Sequence, residues 1–474
     1  MRKINHLFIV ALMAMACAVS MFSSTGCANI APPTGGPKDT LPPVLVRAVP
    51  GDSARSFNSK KVVFEFNEYV QVDNPQENLL VSPTPKINPI ITNKLRTVTV
   101  TIKDTLEENT TYSIDFGNAI KDINEGNILK NFSYVFTTGT TLDSLTISGN
   151  VVIAQTGQPD STLIVVLHRN LDDSAVIKER PRYVARLDRE GRFTFHHLPP
   201  GIFNIFTMKD EGGQRKYMSN SQLFGFADSA VNTQQPKDIT LYAYLEKDTT
   251  PPKKPAVTDK SSNQRKPDPK DKRLKFDLNL TGETLDLLDT LKLSFREAPL
   301  KSYDSTKIFL TNDQDEPLSD YSIVRDTSNK FITIFYPWTE NTPYKLFINP
   351  GFAVDTLGKE VLKPDTLSFR TKKNSEYGMV RLRFLNLDLT KKPLLQFVQG
   401  AEVKYSHRFT NRDFYAKIFK PGDYDLRIVY DENENGVWDP GEFFGKHIQP
   451  ERVLPVSRKV TIKANWDNEI DITL

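Results

Sequence analysis

Pro200-Gly201-Ile202-Phe203-Asn204-Ile205 runs on to Asp210, and Pro421-Gly422-Asp423-Tyr424-Asp425-Leu426 runs on to Asp431. Each stretch reaches its aspartate ten residues after the proline, and the two lie 221 residues apart. Phe193 and Leu198 stand before the first turn where Phe414 and Phe419 stand before the second. Pro-Gly followed by alternating apolar positions is a turn entering a half-buried strand. A turn that recurs with its flanking apolar positions marks a duplicated module. Repeated strand-rich modules that each bury a small core read as a scaffold or a binder.

The duplication widens on both sides of the turns. Leu145-Thr146-Ile147-Ser148-Gly149 and Met379-Val380-Arg381-Leu382-Arg383-Phe384 read as opening strands, and Asp238–Tyr242 and Glu469–Leu474 as closing ones. Thr162–Leu167 is apolar on both faces, as a central sandwich strand would be. The intervening segments repeat as well. Phe64-Glu65-Phe66-Asn67-Glu68 is answered by Leu293-Ser294-Phe295-Arg296-Glu297, and Asn109-Thr110-Thr111-Tyr112 by Asn341-Thr342-Pro343-Tyr344. Asp122 is answered by Asp355 and Phe136-Thr137-Thr138 by Phe369-Arg370-Thr371, at offsets between 229 and 233. A two-domain unit copied whole follows, at 42–140 with 141–245 and at 273–373 with 378–474.

The run of Pro42-Pro43, Phe66–Glu68, Asn109–Tyr112 and Phe136–Thr138 resembles the SbsA-type bacterial Ig-like domain. The copy at 273–373 lacks the opening Pro-Pro and is more divergent. Gly191–Phe203, with its Leu-Pro-Pro-Gly-x-Phe ending, is similar to the transthyretin-like, carboxypeptidase-regulatory-like β-sandwich. Together these resemblances imply an all-β chain of tandem Ig-like and transthyretin-like sandwiches, non-catalytic modules that act as spacers, stalks or binders. The chain most resembles the Ig-like lipoproteins of Bacteroidota, which implies an outer-membrane anchor.

At 474 residues, 38% hydrophobic and 25% charged, there is material for several cores. A net charge of +3 without a concentrated basic face argues against nucleic acid as a partner. Residues 1–26 have the layout of a lipoprotein signal peptide: Arg2 and Lys3, an apolar run from Leu7 to Phe22, then Ser24-Thr25-Gly26 before Cys27. The small-small-Cys ending resembles a lipobox and makes Cys27 the lipidation site, although Ser24 stands where leucine is commoner. Of the two cysteines, Cys17 is lost on cleavage, so no disulfide framework is expected. Residues 27–41 read as a Pro/Gly tether and 246–272 as a charged, Pro-rich linker. The linker's lysines are interleaved with Asp248, Asp259, Asp268 and Asp271, which favours a solvated spacer over a basic strip for anionic lipid.

One segment carries a complete ligand pattern. Asp431-Glu432-Asn433-Glu434-Asn435-Gly436, followed after five intervening residues by Glu442, matches the calcium-loop form D-x-N-x-N-G-x5-E. Six to eight hard oxygens suit calcium. Asp431, Asn433, Asn435, the Val437 carbonyl, Asp439 and Glu442 would supply them, as a structural staple between strands. The alternative is a tight Asn/Asp/Gly turn with no metal. The first copy, Asp210 to Ser221, keeps the turn's place without the donors.

His196 and His197 are neighbours on a strand and point to opposite faces, so they do not make a metal pair. No Gly-rich phosphate loop, nucleophile elbow, His-Glu-x-x-His or paired-cysteine pattern occurs in the sequence. The expected function is a non-catalytic cell-envelope lipoprotein, a scaffold meeting an envelope protein or glycan. The alternative is a surface glycan- or peptide-binding lipoprotein, with Trp338 and Trp438 as stacking surfaces or, as the favoured reading has it, packed beside turns.

Overall fold

Both Pro-Gly turns open long strands, Ile202–Lys209 and Gly422–Tyr430, and each strand is the centre of a sheet. The computed structural model describes residues 2–22, 38–235, 237–247 and 272–474. Cys27, the end of the signal region with most of the tether, and 248–271 of the linker lie outside the described residues. Among the described residues the chain is nearly all-β, with one long N-terminal helix and otherwise only helical turns of three or four residues, and it divides into two compact units, 1–142 and 143–474.

In the first unit a helix spans Arg2–Phe22, and its side chains from Phe8 to Val19 are exposed. Among the described residues no helix is long and apolar enough to cross a membrane. The rest is a sandwich. Leu45–Val49, Lys61–Phe66, Thr97–Thr101 and Ile90–Lys94 form one antiparallel sheet; Phe132–Thr137, Thr111–Gly117 and Leu80–Ser82 form the other. Alternate side chains of both, among them Phe64, Val98, Phe116 and Phe136, meet in one core.

The Asn-Thr-Thr-Tyr turn has a physical reason here. Asn109 adopts φ +48°, in the left-handed region that asparagine tolerates, and Tyr112 Oη accepts the Glu107 N–H at 2.8 Å. In the second Ig-like copy Asn341 sits at φ +51° and Tyr344 Oη accepts from Thr339 N–H at 3.3 Å. The tyrosine ties its strand to the corner that precedes it, the device known in other Ig-like sandwiches. Asp122, fully buried, closes the next turn by accepting the N–H groups of Glu125, Gly126 and Asn127. Burial alone would raise its carboxyl; those backbone donors outweigh it and hold the group below its ordinary value.

The second unit holds three cores. In the first, Arg192–Leu198, Leu145–Ile153 and Ile239–Ala243 face a sheet of Tyr183–Arg186, Leu163–His168, Ile202–Lys209 and Phe224–Phe226. The C-terminal sandwich repeats this strand for strand. Asp413–Phe419, Gly378–Leu385 and Asp467–Thr473 face Glu402–Arg408, Pro393–Gln399, Gly422–Tyr430 and Val453–Pro455. In both, the opening strand pairs antiparallel on one side and parallel with the closing strand on the other. Between them in sequence, the second Ig-like sandwich keeps the strand order of the first: Asp277–Leu278, Leu291–Ser294, Phe331–Phe335, Ser322–Arg325.

Two junctions fix these three sandwiches. Between the second Ig-like sandwich and the C-terminal one, Tyr377 Oη donates to Asp286 at 2.8 Å, and Lys420 Nζ lies 3.0 Å from Asp289 and 3.5 Å from Asp286. Burial pushes Asp286 up; the Leu288 N–H, the Tyr377 hydroxyl and the Lys420 and Lys372 ammoniums more than offset it. The other junction joins the two copies of the repeated sandwich, at 143–247 and 378–474. Their outward-facing residues Phe206, Phe224 and Phe226 in one and Leu394, Gln396, Arg427 and Val429 in the other are buried. Arg427 donates from Nε to Gln396 at 2.8 Å and from Nη1 to the carbonyl of Gln155 in the other copy at 2.7 Å.

Candidate functional site

The two copies differ in the connection that follows their central strand. Between Lys209 and Phe224 the first copy uses residues 210–223; between Tyr430 and Val453 the second uses the longer stretch 431–452. Both begin with the aspartate that the repeated turn leads to. In the first copy Asp210 accepts the Arg215 N–H at 3.1 Å and the loop closes on itself.

In the second copy Asp431 is wholly buried. Its Oδ1 accepts the Asn435 N–H at 3.1 Å; its Oδ2 accepts the Gly436 N–H at 2.8 Å and the Arg408 guanidinium at 3.0 Å. Gly436, at φ +81°, makes the bend that lets these amides converge. Asn433 Oδ1 accepts from Asn435 N–H and Asn435 Oδ1 from Val437 N–H. The Nδ2 groups of both asparagines donate to Asp439 Oδ2, at 2.6 and 2.5 Å. The loop therefore draws Asp431, Asn433, Asn435 and Asp439 together. Glu442 faces elsewhere: it accepts from Lys446 Nζ at 2.8 Å, and its backbone pairs with Ile448.

The carboxylate beside the loop is Glu451, which the motif spacing does not reach. It accepts the N–H groups of Glu432 and Asp439, each at 3.0 Å, while its backbone carbonyl accepts from Trp438 Nε1 at 2.9 Å. Burial, then the Asp431 and Asp439 charges, push Glu451 up, partly offset by those two N–H donors. For a hard cation the donor set fits in type, with two aspartates and two amide oxygens available once the asparagine amides turn over. Arg408 already supplies one positive charge to Asp431. Among the described residues no group of three or more His, Cys, Asp or Glu side chains is gathered as a metal site.

Beyond Asp439 the same connection becomes a clasp on the first copy. Phe443 is 2% exposed, and its ring lies 5.4 Å from Phe206, 5.4 Å from Phe224 and 4.8 Å from Phe226. Phe444 meets Tyr217 at 5.6 Å, His447 Nε2 pairs with Asp173 at 2.7 Å, and Gln449 Nε2 donates to the Phe226 carbonyl at 3.0 Å. Arg452 lies over the Tyr242 ring at 5.5 Å. Gly441 is required by this contact: a Cβ there would stand 2.7 Å from Tyr244 Cζ and 2.7 Å from the Ile448 carbonyl oxygen.

The tryptophans resolve into different roles. Trp338 packs in an aromatic group with Tyr336, Tyr344 and Phe369, and Trp438 is pinned by Glu451. The exposed one is Trp466, at 63%. His196 is exposed and His197 half-buried, with rings 6.3 Å apart.

Comparison with known proteins finds a bacterial Ig-like domain over residues 39–138. No curated protein matches the chain. Among solved structures, the Bacillus anthracis TIE protein is 11% identical, with 93% of this chain and 75% of that one covered, at a TM-score of 0.16. BcpA, the major pilin subunit of Bacillus cereus, is 9% identical over 69% of this chain and 98% of its own, at 0.17. The N-terminal part of the bacterial S-layer protein SbsC is 16% identical over 43% and 44%, at 0.15. Likenesses this remote say nothing of how the chain works. What the domain match and the strand order together establish is an Ig-like domain-containing protein built from tandem β-sandwiches, with its bacterial Ig-like domain at residues 39–138.

Proposed function

We propose that this chain is a non-catalytic lipoprotein of the cell envelope, anchored through Cys27 and acting as a structural scaffold. The observation that carries the reading is the pair of fixed junctions in residues 143–474. Three sandwiches, each with a core of its own, are held together by specific polar contacts and a buried aromatic clasp rather than strung on open linkers. Fixed relative placement of modules is what a spacer or assembly platform needs. The lipid anchor rests on the signal-like layout before Cys27, and two or more acyl chains there would make the attachment stable.

Feeding cells an alkyne-bearing palmitate tests the anchor. The native chain is expected to take up the label and partition into detergent with the membranes. Cys27→Ala is expected to lose both, and label retained by that variant would overturn the anchor. Protease shaving of intact cells then separates an external from a periplasmic scaffold.

Within the same reading, the Asp431 loop is proposed as a structural calcium site. Asp431, Asn433, Asn435, the Val437 carbonyl and Asp439 would hold the ion, with Glu442 or Glu451 as the remaining carboxylate. A ligand at a hundred times its Kd adds about 2.7 kcal/mol. Each kcal/mol raises Tm by about 2–4 °C for a domain of roughly 150–250 residues, and by less as the cooperative unit grows. Millimolar calcium against chelator should therefore raise the melting of the full chain by several degrees, and not that of Asp439→Ala. Identical melts with and without calcium would leave a metal-free turn.

A further inference from the structure

The clasp does more than join the copies, because it walls two cavities. Gln449 to Arg452 form a shared partition. On one side lies a cavity of about 510 Å³ floored by Tyr242 and the turn from Asp228 to Asn232 of the first copy; on the other lies one of about 690 Å³ beside Tyr430 and Lys391. Both sizes fall in the range of small-molecule sites, which favour domain interfaces. The connection that supplies the partition, 431–452, is longer than its counterpart at 210–223 in the first copy.

The lining has a distinct chemistry. Each cavity has a tyrosine ring with a cation above it, Arg452 over Tyr242 at 5.5 Å and Lys391 over Tyr430 at 5.4 Å. A guanidinium held over a ring brings a planar set of N–H donors to the cavity wall. In the first cavity Lys237 and Arg452 are balanced by Asp228 and Asp238, with the Asn232 and Gln449 amides between them. Donors and acceptors of both kinds, no excess charge and aromatic surface on either side of one partition suit a ligand that is uncharged, rich in hydroxyls and extended. Tyr242 is also specific to this copy: its partner in the parallel pairing is Val152, and the matching position of the second copy, paired with Leu385, is Thr473.

We propose that these paired cavities bind a neutral oligosaccharide, across the partition that the clasp builds. This goes beyond the scaffold reading and does not depend on it. The test is calorimetric titration of the full chain with malto-, cello-, chito- and mannohexaose. Saturable binding of at least one is expected. It should weaken tenfold or more in Arg452→Ala and in Asp228→Ala, an exposed lining residue outside the clasp contacts. Trp466→Ala, outside both cavities, should bind as the native chain does. Equal melting curves for Asp228→Ala and the native chain would keep a folding defect out of the comparison. Absence of binding to all four sugars, or binding that both lining substitutions leave unchanged, would overturn the proposal. So would binding only to an unstructured peptide. The palmitate result for Cys27 is independent of every one of these outcomes.

Discussion

Phe443→Ala is expected to cost about 3–5 kcal/mol, the range for removing a fully buried phenylalanine without collapse of the space it leaves. The ring fills the gap over Phe206, Phe224 and Phe226, and the other ring of the C-terminal copy near them is that of His447, 6.0 Å from Phe226. Collapse is resisted because the surrounding groups belong to two separately cored sandwiches. The loss should therefore appear as local opening rather than global unfolding. Amide exchange in Phe224–Phe226, an outer strand held by Ile202–Lys209, is expected to accelerate by two orders of magnitude or more, while the strands of the second Ig-like sandwich keep their rates. Phe444→Ala, at a half-buried position, should do much less. Unchanged exchange in Phe224–Phe226 would mean that the clasp is not what covers that face.

Why this contact was hard to read from the chain is instructive. Ile202 to Met208 carries apolar residues at both parities, and the outward ones, Phe206 and Met208, signal a strand buried on both faces. The second copy conceals the same burial. Its outward positions include Arg427 and Gln396, which look solvent-facing until Arg427 is seen to donate both to Gln396 and to the carbonyl of Gln155, 272 residues away from it. A buried polar pair has no periodic signature, and its partner lies in another module.

The sandwiches themselves were legible because their causes are local. The Asn-Thr-x-Tyr turn needs a left-handed asparagine and a tyrosine hydroxyl five residues beyond the N–H it accepts, and both copies spell that out. The candidate loop is intermediate. Asp431, Asn433, Asn435 and Asp439 come together as their spacing suggests, since two-residue steps and Gly436 curl the chain around one point. In calcium loops of that pattern the twelfth position leads into a helix. Here Pro440 and Gly441 divert the chain into the clasp, so Glu442 turns to Lys446 while Glu451 returns from beyond it. Spacing within a motif predicts a ligand only as far as the backbone continues the motif's path.

Acid should find the sandwich that carries His168, the first copy of the repeated pair, before the rest of the chain. This side chain is 1% exposed on the strand Leu163–His168, edge-on to Phe206 at 5.8 Å, and its Nε2 has no hydrogen-bond partner. Burial holds the imidazole down to about 4, with Glu179 opposing slightly and Lys216 adding to the effect. An unfolded histidine titrates near 6.5. Its folded value is lower, so the unfolded chain binds the proton first as pH falls. The stability His168 contributes is whole above about pH 6.5, declines between 6.5 and 4, and is constant below. At 1.36 kcal/mol for each unit of difference, the full loss is about 3 kcal/mol, and roughly 2 kcal/mol has gone by pH 5. Since the imidazole backs the same Phe206 that Phe443 covers, the clasp face should loosen with it. His168→Gln fills similar space without titrating, so whatever its absolute stability, its slope between pH 6.5 and 4.5 should be flatter than the native one. Denaturation curves for the two chains at half-unit pH steps measure this directly. Parallel slopes would show that His168 is protonated in the folded state at the same pH as in the unfolded one, and that its burial carries no pH dependence.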